Sequence, residues 1–231
     1  MPDRPIISAL IATYNRRDLL SRSLPSVLAQ DLGDGAFEVI VVDDGSTDGT
    51  PTAIAEIAAV QYVRQENRGQ PAALNHGVRL ARGELLAFND ADDVWTEGRL
   101  SAQLAALAET SLDAVFGHVE QFLEPDAPAA IATALTPARR ILPSRLHTAM
   151  LVRRPAFDRV GAFREDLRIG SVMDWAHRAQ QAGLQTRVLD SIVLRRRLHG
   201  GNTGFLQKSK ASEDYLAVAK AALARRRGKT S

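Results

Sequence analysis

Short apolar runs alternate with amphipathic stretches through the first half of the chain. Four runs are dense enough in Val, Ile, Leu and Phe to predict buried strands, at residues 6–12, 37–42, 61–66 and 84–89. Helical spacing of apolar residues, or a proline at a first helical position, predicts helices after them, over Leu20–Leu28, from Thr50-Pro51, from Pro71 and over Leu100–Ala108. Strand and helix therefore alternate at short intervals. This pattern predicts an α/β fold, Rossmann-like, with a parallel-centred sheet flanked by helices.

The second half is less regular. Residues 113–122 predict a strand, and residues 124–143 are rich in Ala and Pro and indicate a surface excursion or flexible loop. After that loop we expect a strand and short helix over 147–163, a helix over 173–184, one or two strands over 187–198 and a terminal helix over 213–224. We find no internal repeat and expect a single domain over residues 1–231.

Acidic residues follow two of the predicted strands. The run 39–42 ends in Asp43 and Asp44, and the run 85–88 leads into Asp90, Asp92 and Asp93. The carboxyl ends of parallel strands form the ligand-binding edge of such a sheet. Like charges repel, so their crowding at this edge calls for a compensating partner. Side chains alternate along a strand, and of the first pair we expect only Asp44 to face a ligand.

Three chemistries use acids in this arrangement: holding a divalent cation, accepting a phosphoryl group, and general acid–base catalysis. Cation binding fits best, since two carboxylates of Asp90, Asp92 and Asp93 can converge on one ion. A phosphoryl-acceptor site is excluded because the first strand ends without acids, in Thr13-Tyr14-Asn15, and residues 1–207 contain no lysine. A dinucleotide-binding fold is excluded because no GxGxxG follows that strand. An alternative to cation binding is that these acids lie at the N-terminus of a helix, where the helix dipole favours negative charge, and bind no ligand.

Composition narrows the class of protein without choosing a ligand. The 231 residues include no cysteine, which excludes disulfides and thiolate metal sites. A net charge of +2 gives no support to nucleic-acid binding. No apolar run approaches the roughly 20 residues of a membrane helix, and the first residues lack a signal-peptide layout, so we expect a cytoplasmic protein. The basic tail at 224–229 predicts a solvated end or a weak contact with an acidic membrane surface.

Four segments together resemble the family 2 nucleotide-sugar glycosyltransferases of the A-type fold. They are LIATYNRRDLLSRSLPSVLAQ, VIVVDDGSTD, NRGQPAALNHGVRLARGELLAFNDADD and RLHGGN, and they occur in this order over nearly the whole chain. The resemblance implies a nucleoside-diphosphate sugar as donor and Mn²⁺ or Mg²⁺ as cofactor. It also implies a donor-binding half at 1–110, an acceptor-side half at 111–204, and a C-terminal helix with its basic tail at 205–231. The acceptor stays unknown.

The same resemblance implies roles for individual residues. Asp44 would bind the nucleotide base, Asp92 and His199 would bind the metal, and Arg68 would lie near the base or the diphosphate. Further residues in the matching segments are assigned to the nucleotide sugar: Thr13, Tyr14, Asn15, Asn75, Asp90 and Asp93. One of the three arginines at 195–197 is expected near the diphosphate, and alternation along a strand lets at most two of them face it.

The chain departs from the family at the catalytic base. An inverting transfer needs a carboxylate to deprotonate the acceptor hydroxyl. The two positions where the family carries acids hold Ser171 and Val172. Asp174 is the nearest carboxylate and is the predicted base, with Glu165 and Asp166 as alternatives. An acceptor that is already nucleophilic would need no base. A nucleotide-sugar-binding protein without catalysis, in a regulatory or scaffolding role, is the alternative function.

Overall fold

The computed structural model describes residues 4–33, 36–109, 111–202 and 208–227, without the side chains of 208–211 and 223–227. Within these residues nine strands form one sheet: β1 Ile7–Thr13, β2 Phe37–Asp43, β3 Val60–Arg64, β4 Leu85–Asp90, β5 Val94–Trp95, β6 Ala114–Leu123, β7 Ile141–Pro143, β8 Leu151–Arg153 and β9 Thr186–Leu198. The helices are α1 Arg17–Leu28, α2 Thr50–Ala55, α3 Gln70–Leu80, α4 Arg99–Leu107, α5 Ala129–Ala134, α6 Pro137–Arg140, α7 Arg154–Val160, α8 Ser171–Gln181 and α9 Lys208–Arg227, with a 3₁₀ helix at His147–Ala149.

The first four strands pair in parallel, in the order β3-β2-β1-β4. This confirms the predicted α/β fold with a parallel-centred sheet. β1 is buried along its whole length, as the uninterrupted apolar run predicts for a strand with helices on both sides. The boundaries of these strands differ from the predicted ones by one or two residues.

Side chains of β1 pack alternately into two cores, one on each face of the sheet. Ile7, Ala9 and Ile11 contribute to the first core. The buried α1 residues Leu20, Leu24 and Val27, whose spacing predicted that helix, lie in the same core. Leu10 and Ala12 contribute to the second core, with Leu74 and Val78 of α3 and an aromatic group from α7, α8 and the loop between them. Burying each large aliphatic side chain contributes about 1.5–3 kcal/mol, so α1 and α3 are held mainly by these contacts.

The later strands extend the same sheet with mixed directions. β8 pairs antiparallel with β4 and with β6, and so joins the parallel half to the second half of the chain. β9 pairs parallel with β6, with register shifts between Phe116 and Val119, and antiparallel with the short β5. One sheet therefore carries strands from both halves.

The segment 124–143 is on the surface, as predicted, but it is not a plain loop. It contains α5, α6 and β7, and β7 adds to the sheet by pairing with β6. None of its residues is buried. The sequence did not predict β5 and β7 because strands of two and three residues are too short to show alternation.

None of the helices in the described part of the chain combines the length and apolarity that crossing a bilayer requires. The basic tail at 224–229 lies outside the residues whose side chains the structure describes. Its contact with an acidic membrane surface stays a prediction.

Candidate functional site

A cavity of ≈ 440 Å³ lies at the carboxyl edge of the parallel strands. Thr13 at the end of β1 is in register with Asp43 at the end of β2, and Ala12 is in register with Asp90 at the end of β4. The three strand ends therefore open into the same space. Six of the predicted site residues line this cavity: Thr13, Tyr14, Asp44, Asp90, Asp92 and Asp93.

Asp44 is buried, and its carboxylate organises the loop before α3. Its Oδ1 accepts hydrogen bonds from the Gln65 side chain (2.8 Å) and the backbone N–H of Arg68 (2.9 Å), and its Oδ2 accepts one from the backbone N–H of Gly69 (2.7 Å). Gly69 has φ +93°, a left-handed conformation that glycine adopts without strain. A carboxylate offers about four acceptor positions, so Asp44 retains room for one more donor.

Asp43 faces away from the cavity. It is fully buried and accepts hydrogen bonds from the Tyr62 hydroxyl (2.8 Å) and the backbone N–H of Ser46 (2.7 Å). Burial and the neighbouring Asp43 carboxylate both raise the pKa of Tyr62 above its usual range. Asp44 thus points toward the cavity and Asp43 points into the fold, as the alternation of side chains along a strand requires.

Asp90, Asp92 and Asp93 form a carboxylate cluster at the end of β4. Each offers an oxygen within 4.8 Å of the others. The pKa of Asp93 lies well above its usual range, because its carboxylate is buried and stands beside Asp92 and Asp90. A divalent cation favours carboxylate oxygens and would offset this repulsion. The donor set is therefore suited to a hard cation such as Mg²⁺ or Mn²⁺.

Two side chains from outside the cluster lie next to the Asp90 carboxylate. Gln70 donates from Nε2 to Oδ1 of Asp90 (2.7 Å), and Nε2 of His147 lies 3.2 Å from the same oxygen, within ion-pair distance but outside hydrogen-bond geometry. Burial raises the pKa of Asp90, but His147, Gln70 and Arg196 together outweigh it, and the pKa is lowered. His147 is buried and packs against Phe88 and Phe163, and its Nδ1 has no hydrogen-bond partner among the described residues.

Asp92 is held by the segment after β9. His199 Nε2 lies 2.9 Å from Oδ2 of Asp92, and Asn202 Nδ2 lies 3.4 Å from the same oxygen. The backbone N–H of Gly201 donates to Nδ1 of His199 (3.1 Å), so the proton of a neutral ring is on Nε2 and points to Asp92. His199 also lines a second cavity, of ≈ 510 Å³, next to α1. The predicted pair Asp92 and His199 is thus in direct contact.

Three predicted residues lie close to the cavity but support loops instead of lining it. Asn15 adopts φ 50° and accepts the backbone N–H of Thr47 at its Oδ1 (2.8 Å). The Arg68 side chain forms an ion pair with Glu165 (2.7 Å). Asn75 is buried and bonds both the backbone N–H (3.0 Å) and the carbonyl (2.8 Å) of Phe163. The contacts of Arg68 and Asn75 fasten the loop between α7 and α8 to α3 and the loop before it.

Asp174 is not part of the cavity wall. Its side chain is fully buried in the first turn of α8 and pairs with Arg178 (2.7 Å). Arg178 also donates to the carbonyls of Val160 and Ala162 at the end of α7. The geometry therefore gives Asp174 a structural task, which is to join α8 to α7.

Some residues that line the cavity were not predicted from the sequence. Arg168, Gln70 and Asn202 line the cavity, and Arg168 stands in an irregular loop with no motif to mark it. Of the three consecutive arginines on β9, only Arg196 lines the cavity, whereas Arg195 pairs with Glu120 (3.0 Å) and Arg197 with Glu124. Alternation along β9 could have separated Arg196 from its neighbours, but it could not have shown which face meets the site.

Comparisons with family models and with curated proteins point to the same family. The family model described as glycosyl transferase family 2 matches residues 8–162. An uncharacterized glycosyltransferase of Nostoc sp. is 37% identical over 119 residues, which is 49% of this chain and 36% of the relative. The chain spans from about a third to two thirds of the length of the first curated relatives that it matches.

Solved structures share the fold. The mannosyltransferase PcManGT from Pyrobaculum calidifontis, in complex with GDP-Man and Mn²⁺, superposes with a TM-score of 0.69 at 23% identity over 96% of this chain and 65% of its own. S. aureus TarS 1-349, in complex with UDP-GlcNAc, superposes with a TM-score of 0.72 at 22% identity over 92% of this chain and 65% of its own. At this level of identity the likeness establishes the architecture of the sheet and helices.

Proposed function

The chain belongs to glycosyl transferase family 2, and from this premise we propose that it is a metal-dependent inverting glycosyltransferase that uses a nucleoside-diphosphate sugar. One observation carries the proposal: Asp44 and the carboxylate cluster, from separate segments of the chain, line one cavity at the edge of the parallel sheet. Residues 1–110 are assigned to the donor and residues 111–204 to the acceptor, with 205–231 as a C-terminal helix and tail.

The donor base is assigned to the end of β1 and β2. Asp44 has one acceptor position left for an N–H of the base, and the buried Oγ1 of Thr13 has no partner among the described residues. Tyr14 is 47% exposed on the cavity wall, where its ring can stack on a flat base. Uracil and guanine both offer an N–H to Asp44, and the two solved structures bind one donor of each kind, so the base stays open.

The diphosphate is assigned to the carboxylate cluster and a bound Mn²⁺ or Mg²⁺. Asp92 is the proposed ligand from the cluster and His199 the second one, with Asp90 and Asp93 around them. When bound, the cation offsets the charge of the leaving diphosphate. PcManGT, the structural neighbour with GDP-Man, also contains Mn²⁺. For His199 to bind a metal through Nε2, the ring proton would move to Nδ1, so metal binding would break the present contact in which the backbone N–H of Gly201 donates to Nδ1.

His147 is expected to position Asp90, although no motif marked it. Replacing His147 by Ala removes the group that faces Oδ1 of Asp90 and leaves that carboxylate less fixed. We expect KM for the donor to rise about tenfold, the loss typical of a residue that orients a metal or phosphate ligand. His147→Gln keeps a donor near the same place and should recover most of the affinity. Equal effects of the two variants on KM would show that only packing was lost.

The direct test mixes the purified chain with Mn²⁺ and a panel of UDP-, GDP- and dTDP-sugars. Thermal shift identifies the donor that binds, and release of nucleoside diphosphate measures transfer to acceptors or to water. We expect one class of donor to raise the melting temperature only when Mn²⁺ is present, and to be consumed. No stabilisation by any donor would contradict the proposal.

A nucleotide-sugar-binding protein without catalysis is the second candidate. Ser171 and Val172 in the family's acidic positions favour it, as does the burial of the Asp174 carboxylate. Manganese-dependent donor binding without release of nucleoside diphosphate, with acceptors of every class, would select this function over the first.

A further inference from the structure

Among the residues that the structure describes, the acceptor side of the cavity has no carboxylate placed to act as a base. The acids that line the cavity within the described residues are Asp44, which accepts three hydrogen bonds, and the three members of the carboxylate cluster.

Carboxylates on the neighbouring loop and helix are paired with arginines. Glu165 pairs with Arg68 (2.7 Å), Asp166 with Arg164 (2.5 Å), and the buried Asp174 with Arg178 (2.7 Å). The pKa of Asp166 is lowered, chiefly by its hydrogen bond with Arg164. All three predicted bases are thus engaged by arginines, and none of them lines the cavity.

Two arginine side chains lie at the same cavity. Arg168 and Arg196 line the cavity. In the part of the chain that the structure describes, Arg168 has no hydrogen-bond or ion-pair partner. Arg168 stands three residues before Ser171, beside the position where the family carries its base. Arg196 lies near Asp90 and Asp93, on the side assigned to the donor. The carboxylate cluster and the donor diphosphate account for Arg196. Arg168 stands beside the position where the base is missing, and its guanidinium indicates a further anionic group, on the acceptor.

We propose that the acceptor is a phosphate monoester, whose ionised oxygen attacks the donor sugar while Arg168 binds its other oxygens. The inference rests on the proposed function and adds the class of acceptor. A phosphate monoester has a second pKa of about 6, so its dianion dominates at neutral pH. The guanidinium of Arg168 matches two phosphate oxygens in a fork geometry.

The reaction balances without a protein base. One phosphate oxygen forms a bond to the anomeric carbon, and the bond from that carbon to the donor diphosphate breaks. The nucleoside diphosphate leaves with the bonding electron pair. The attacking oxygen carries no proton, so none has to be removed, and the negative charge lost by the acceptor appears on the leaving diphosphate. Ser171 and Val172 are compatible with this chemistry, since neither has to act as a base.

The test compares acceptors with the donor found by thermal shift, in the presence of Mn²⁺. Octyl phosphate, glucose 1-phosphate and inorganic phosphate are the phosphate acceptors, and octyl glucoside is the hydroxyl control. We expect turnover with at least one phosphate acceptor and none above donor hydrolysis with octyl glucoside. A preference for octyl phosphate would indicate a lipid source, and a preference for either of the other two a water-soluble one.

The pH dependence separates an ionised acceptor from a protein base. Octylphosphonate has a higher second pKa than octyl phosphate, so the acidic limb of kcat/KM should move to higher pH with the phosphonate. A protein base would hold that limb at the same pH for both compounds, and that result overturns the proposal.

Arg168→Gln tests the residue assignment. We expect KM for the phosphate acceptor to rise at least about tenfold, the loss of a charge-assisted contact, while the donor dissociation constant is unchanged. Arg159→Gln is the matched control, because Arg159 pairs with Asp113 at an exposed site and does not line the cavity. An unchanged KM in Arg168→Gln overturns the assignment.

Two further outcomes separate this inference from the proposed function. Turnover with octyl glucoside but with no phosphate acceptor, or donor binding without turnover of any acceptor, overturns the phosphate acceptor and leaves donor binding in place. Absence of donor binding overturns both.

Discussion

Asp92→Asn is expected to abolish manganese-dependent binding of the donor. Asp92 is the member of the carboxylate cluster that meets His199 (2.9 Å), so its replacement removes one proposed ligand and the partner of the other. Loss of residues that only orient ligands costs about 10–100-fold in affinity, and loss of a ligand should cost more. Equilibrium dialysis with labelled nucleotide sugar, with and without Mn²⁺, measures the effect.

Asp190→Asn is the control for that variant. Asp190 lies on β9, is exposed and does not line the cavity, so removal of the same charge there should leave binding intact. The melting temperature of metal-free Asp92→Asn reports whether the variant is folded. Donor affinity that is retained in a folded Asp92→Asn, with the same dependence on Mn²⁺, would exclude Asp92 from the site.

Asp174→Ala is expected to lower the free energy of unfolding by about 3 kcal/mol. The carboxylate of Asp174 is fully buried, and its removal leaves the largely buried guanidinium of Arg178 without this partner. Urea denaturation measures the change. In a double-mutant cycle with Arg178→Ala, the double variant should lose less stability than the sum of the single variants, because the two residues form one unit.

Asp166→Ala provides the matched control, since Asp166 forms an exposed pair with Arg164 on the preceding loop. Such pairs contribute about 1 kcal/mol or less. Turnover of Asp174→Asn, measured under conditions in which the variant is folded, tests whether Asp174 is the catalytic base. A fully stable variant that binds the donor but has lost turnover would restore Asp174 as the catalytic base, and a folded, active variant would confirm the structural role.

Local sequence patterns predicted the first half of the molecule well. The strands β1, β2 and β4 are largely buried, so each appears as a mostly apolar run, and helix starts are marked by Thr50-Pro51 and Pro71. The positions of Asp44 and of Asp90 follow from the same pattern, because both stand directly at strand ends. Parallel pairing then brings these ends together without further information from the sequence.

Contacts between distant segments could not be predicted in the same way. His147 reaches Asp90 only because β8 inserts beside β4, and this pairing leaves no periodic signal. Asn75 was assigned to the donor by its place in a motif, but the fold turns it toward Phe163. For Asp174 the sequence showed an acid near the right position, and only packing shows that Arg178 holds it.

Calorimetric titration of the unmodified chain with its donor, in Mn²⁺ and then in excess chelator, tests the central claim most directly. Acids from separate strands are proposed to form one cation-dependent site for a nucleotide sugar. We therefore expect saturable heat at one site per chain in Mn²⁺, and binding that is weaker by at least about 100-fold in chelator. Equal affinity under both conditions, or no heat from any nucleotide sugar in Mn²⁺, would contradict the claim.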